Sequence, residues 1–105
     1  MAEDPFRWVA DAPLFVVPRM LEALRAFRAR PGLDTELERV ADRLIAGVAA
    51  HPTRFWVLKQ CQPALEAARD GSAETRERVG AGLGQLMDIL GIERPDGLLA
   101  YYLGS

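Results

Sequence analysis

The chain has 105 residues, the size of one ordinary domain, and half of them are hydrophobic while 27% are charged; that balance supplies a core and excludes intrinsic disorder for most of its length. The formal charge is −2 at pH 7 and the sequence pI is near 5.4, so the chain as a whole repels a polyanion and nucleic acid is not an expected partner. No apolar tract approaches the roughly 20 residues of a bilayer span, and Met1-Ala2-Glu3-Asp4 opens acidic where a secretory signal opens basic; a cytoplasmic protein without membrane association is expected.

Residues 1–17 are expected to form an extended or irregular lead-in, with Ala12 to Val17 lying across the helices that follow. From Pro18 the pattern turns helical. Met20, Leu21, Leu24 and Phe27 recur at three- and four-residue spacing, and Pro18 suits a first turn, where its missing N–H costs nothing. The first helix is predicted over about residues 18–30, ended by Pro31-Gly32. A second begins near Thr35 and Glu38, which have capping-box spacing, and runs to Ala50 with Leu37, Val40, Ala41, Leu44, Ile45 and Val48 on its apolar face.

His51-Pro52 closes that helix, and a third starts at Thr53. Phe55, Trp56, Val57, Leu58, Cys61 and Leu65 make it apolar on more than one side, which marks it as the most buried. Pro63 falls inside it, and a kink or restart is expected because an interior proline removes one hydrogen bond and clashes with the preceding turn. Residues 54–59 are the segment most open to a strand reading. Gly71 and Ser72 provide the next stop and start, and Val79, Leu83, Leu86, Met87 and Leu90 form the stripe of a fourth helix ended by Gly91. Asp96 to Leu103 is a short fifth. These elements predict an all-α fold over residues 1–105: a small irregular antiparallel bundle of four to five helices occupying residues 18–103.

The run Ala73-Glu74-Thr75-Arg76-Glu77-Arg78, followed by Gln85-Leu86-Met87-Asp88-Ile89-Leu90-Gly91-Ile92-Glu93 and then by Asp96-Gly97-Leu98-Leu99 and Tyr102-Leu103-Gly104, resembles the ending of a family of short bacterial domains of unknown function. The resemblance covers the last third of the chain and implies an all-helical fold; it names no reaction. It breaks at Val79 to Gly84, where glycines stand in place of aromatic and acidic residues. A bacterial source also fits the composition. Twelve of the thirteen basic residues are arginine and asparagine is absent, the signature of a GC-rich genome, which lessens the functional meaning of the arginine excess.

The chemistry-bearing residues are few. Cys61 is the single cysteine and His51 the single histidine, so neither an intrachain disulfide nor a Cys/His zinc site can be completed, and no metal or cofactor is expected. As a nucleophile and base the two are separated by a proline turn that gives no reason for imidazole to face sulfur, and Cys61 is expected to be a buried, inert thiol. The pairs Glu36/Glu38 and Glu74/Glu77 sit in first turns, where the helix dipole accounts for them. Gly80-Ala81-Gly82-Leu83-Gly84 lacks the preceding strand and following Lys-Ser/Thr of a phosphate loop. Gly80 and Gly84, four apart, are instead expected to bare one helix face for close packing.

No catalytic constellation assembles, so a non-enzymatic protein–protein interaction module of immunity, antitoxin or adaptor type is expected, with another protein as partner and a homodimer as a further option. Trp8, Tyr101 and Tyr102 near the ends, with Arg25 and Arg28 on the first helix, are the candidate partner-binding residues. Two rivals stand beside this reading. One is a helix-turn-helix DNA-binding regulator, with Arg54, Lys59, Gln60 and Gln62 reading base edges. The other is a small-molecule-binding protein or enzyme.

Overall fold

The computed structural model describes residues 13–92 together with Tyr102 and Leu103. Four helices follow one another: α1 (Pro18–Arg28), α2 (Thr35–Gly47), α3 (Arg54–Arg69) and α4 (Ala73–Leu90). Each packs on its neighbour in the chain, α4 closes back on α1, and α2 also meets α4 across the diagonal. Among the described residues no strand forms, and residues 54–59 are helical. The predicted fifth helix and its Asp96 cap lie outside the described residues, apart from Tyr102 and Leu103, which are helical.

The helix ends obey local chemistry. Pro18 occupies the first turn of α1, and Arg25 and Arg28 sit in its last turn, where cations suit the carbonyl end. The helix stops at Arg28, ahead of the predicted boundary, and Gly32 takes a positive φ in the connection that follows. The start of α2 differs from the expectation at Thr35: the cap is Asp34, whose carboxylate accepts the Glu36 N–H at 2.9 Å. A carboxylate outbids a hydroxyl here because it meets both the free N–H groups and the positive end of the dipole. Thr53 and Ser72 cap α3 and α4 by accepting the N–H of Trp56 and Thr75. Gly91 ends α4 in a left-handed conformation, with Ile92 N–H bonded to the Met87 carbonyl and Gly91 N–H to that of Asp88. This is the Schellman pattern, and its hydrophobic partner is present because Ile92 and Met87 are both buried.

Pro63 neither breaks nor restarts α3, which is one helix over Arg54–Arg69. The expected break fails for two reasons visible in the packing. Pro63 is exposed, so water reaches the backbone on that side. One turn away, Arg43 of α2 donates from Nη2 to the Gln60 carbonyl at 2.7 Å and ties that turn to α2, beside the Lys59 carbonyl that Pro63 leaves without its helical partner. The expectation that α3 is the most buried helix agrees with its inward residues Val57, Leu58, Cys61, Ala64, Leu65 and Ala68.

The core joins Leu24 and Phe27 of α1, Leu37, Val40 and Leu44 of α2, the α3 set, and Val79, Leu83, Leu86 and Leu90 of α4. No polar or charged residue is buried among the described residues. The glycines of α4 act differently from the expected Gly80/Gly84 face. Gly82 is the one that admits α2: a Cβ built there would stand 2.8 Å from Leu37 Cδ2 and nearer still to Cδ1. Gly80 instead faces Leu103, at 3.1 Å from the same construction, while a Cβ at Gly84 meets nothing within 4 Å. Positions 80 and 82 lie about 200° apart around a helix, so they serve different neighbours.

Gly84→Ala is expected to stabilise the protein by about 0.5–1 kcal/mol, because a helical glycine is replaced with no clash. Gly91→Ala is expected to cost about 1–2 kcal/mol, since the left-handed cap penalises a Cβ. Urea unfolding of the two variants, followed by circular dichroism, reads both signs.

Candidate functional site

Leu14-Phe15-Val16-Val17 lies between Pro13 and Pro18, and each proline disfavours helix in the residue before it. The segment is accordingly extended, as expected, and it is tied across the α2–α3 turn. Leu14 N–H donates to the Pro52 carbonyl at 2.7 Å, and Pro13 and Thr53 form an isolated antiparallel bridge. Extended backbone alternates its side chains. Leu14 and Val16 turn onto the core, whereas Phe15 is 91% exposed and Val17 48% exposed. Beside Phe15 a shallow groove of about 310 Å³ runs between Leu14, Met20 and the end of α4 at Asp88, Ile89 and Leu90. An almost fully solvated phenylalanine at the rim of a groove of mixed polarity is the strongest interaction feature among the described residues.

The residues singled out from sequence do not gather around it. Arg25 is exposed on α1. Arg28 is engaged within the fold: its guanidinium bonds Asp42 at 2.8 Å and Glu38 at 3.0 Å, tying α1 to α2. The Asp42 hydrogen bond, helped by the charges of Asp42 and Glu38, raises its pKa above the ordinary arginine value. Tyr102 is 5% exposed, receives a hydrogen bond from Gln62 at 3.3 Å, and lies under the Arg69 guanidinium, so its ring belongs to the core. Trp8 and Tyr101 lie outside the described residues.

Of the four α3 side chains that a DNA reader would present, Lys59, Gln60 and Gln62 are turned to internal uses. Lys59 bonds Gln62, Gln62 bonds Tyr102, and Gln60 bonds the Trp56 carbonyl. All three are half-buried. Cys61 and His51 occupy different environments. His51 is exposed and stacks on Trp56 with ring centroids 5.2 Å apart. Cys61 is buried, and burial pushes its thiol up to about 12 against the opposing pull of Arg43. Such a thiol is almost entirely protonated at neutral pH and lacks the thiolate that nucleophilic chemistry needs. Among the described residues no cluster of three or more His, Cys, Asp or Glu is arranged to hold a metal ion. No described helix is long and apolar enough to cross a membrane.

Phe15 and Val17 are not among the residues that the sequence singled out, although two prolines bracketing an apolar tract signal extended, alternating backbone. No protein-family model matches the chain, and no match is found among curated proteins or solved structures.

The Cys61 shift carries a pH signature. The folded-state pKa lies above the unfolded one, so the thiol's contribution to stability is complete below the unfolded value. It declines as pH rises from about 9 towards 12, where the unfolded chain releases the proton first. Cys61→Ala is expected to flatten that part of the alkaline stability profile. In the native wild type, a thiol reagent at pH 8 is expected to label Cys61 only at the rate of unfolding.

Proposed function

We propose that this protein is a non-catalytic, cytoplasmic protein-binding module of the immunity, antitoxin or adaptor kind, and that Phe15 anchors its interface. The observation that carries the reading is the 91% exposure of Phe15 on a segment whose backbone is otherwise fixed against the α2–α3 turn. Aromatic side chains are common interface anchors, and one on a backbone held in place loses little entropy when a partner covers it. Val17 extends the apolar surface on the same side, and the groove towards Ile89 gives a partner side chain somewhere to go.

The observations weigh against the rivals to unequal degrees. The internal bonding of Lys59, Gln60 and Gln62 leaves α3 poorly disposed to read bases, and the acidic balance of the chain opposes DNA. A catalytic role for Cys61 conflicts with its burial and raised pKa.

Phe15→Glu is expected to leave the melting temperature within a degree or two of wild type, because the ring contributes little to the fold. It is expected to abolish recovery of the stoichiometric protein partner in affinity purification from the source cells, while Glu66→Gln on exposed α3 surface retains it. Recovery of the same partner by Phe15→Glu would contradict the proposal. So would recovery of nucleic acid, with a binding strength that falls steeply with salt.

A further inference from the structure

Where the α1–α2 connection passes α4, a cleft of about 230 Å³ opens between Arg30 and Leu33 on one side and Arg78, Ala81 and Gln85 on the other, above Gly82. The two arginines are differently committed. Arg78 donates from Nε to Asp34 at 3.4 Å, and Asp34 already accepts the Glu36 N–H as the α2 cap. Arg30 has no carboxylate partner among the described residues: its Nη1 bonds the neutral Gln85 Oε1, and its guanidinium lies 4.9 Å above the centre of the Phe27 ring. A guanidinium carries five N–H donors in a planar fork. Arg30 is therefore a cation oriented by an aromatic ring and an amide, with most of its donors unclaimed and its charge not neutralised locally.

We propose that this cleft binds a small carboxylic acid as its carboxylate. The two oxygens take the Arg30 fork in place of the Gln85 carbonyl, and the apolar body lies along Leu33 and Ala81 towards Arg78. Three features select this chemistry. Arg30 and Arg78 against Asp34 leave one net positive charge, which suits a monoanion; the Asp34 carboxylate in the same lining opposes a dianion such as phosphate. The floor of Leu37 and Gly82 and the side of Leu33 offer apolar contact that a hydrated inorganic ion cannot use. The volume falls below the roughly 300–1,000 Å³ of pockets for drug-sized ligands, so the body is a few carbons. The same recognition is met by a free short-chain acid or by the terminal carboxylate of a peptide. Neither depends on the Phe15 surface.

The test is a ¹H–¹⁵N NMR titration of the full chain with butyrate and benzoate, with butyramide and inorganic phosphate as controls, and with a short peptide ending in leucine as free acid and as amide. Arg30→Gln removes the fork. Ala81→Phe fills the cleft from an exposed helix position without touching a charge, and Arg19→Gln removes an arginine elsewhere on the surface. The expected result is saturable shifts gathered over residues 30–37 and 78–85 with the acids, at least tenfold weaker in Arg30→Gln and in Ala81→Phe and unchanged in Arg19→Gln. Binding by the free-acid peptide alone assigns the carboxylate to a chain end; binding by butyrate assigns it to a free acid. Absence of such shifts with every carboxylate would overturn the proposal, as would equal shifts with butyramide or phosphate, or equal weakening by Arg19→Gln.

Discussion

Position 82 has no side chain, and Leu37 fills the space where one would be. That contact lets α2 approach α4 across the diagonal of the bundle. With α4 held against α2, Leu83 and Leu86 reach the same core as Leu24 and Val40, and the α1–α2 connection comes to lie beside Arg78 and Gln85. A helical glycine costs about 1 kcal/mol relative to alanine, which the gain from burying Leu37 offsets, because losing a buried leucine side chain costs about 2–5 kcal/mol. The bundle thus accepts a local penalty within α4 in exchange for close approach between helices that are not adjacent in sequence.

Two surfaces flank that core. The extended segment before α1 is pinned to the α2–α3 turn by Leu14, so the alternation of its side chains leaves Phe15 and Val17 in solvent while Leu14 and Val16 complete the core. The cleft under Arg30 arises where the connection must bridge from α1 to α2 while passing the small residues Ala81 and Gly82. Both surfaces belong to connections supported by rigid helices, a placement that permits binding chemistry without disturbing the core.

Much of the fold was legible in the sequence because its signals are local. Pro18, Thr53, Ser72 and Gly91 act within one turn of where they stand, and the stripes of α2 and α4 repeat at helical spacing. The expectations that needed revision turn on partners distant in sequence. Pro63 remains within a continuous helix, with Arg43 bonding the neighbouring turn from α2. Gly82, not the Gly80/Gly84 pair, admits another helix, and only the position of Leu37 distinguishes them. Of the site candidates, Tyr102 proved to be core and Arg28 a tie between α1 and α2. The Arg30–Gln85 contact joins residues far apart in the chain, and no spacing rule could have revealed it.

The dependence of the bundle on the Leu37–Gly82 contact is tested most directly by introducing Gly82→Ala into two backgrounds and measuring unfolding free energies. In the wild type the added methyl is expected to cost about 1–2 kcal/mol, since overpacking exceeds the gain in helix propensity. In Leu37→Ala, where space has been made, the same methyl is expected to be neutral or stabilising by up to about 1 kcal/mol. If Gly82→Ala stabilised both backgrounds equally, α2 and α4 would not be held by this contact.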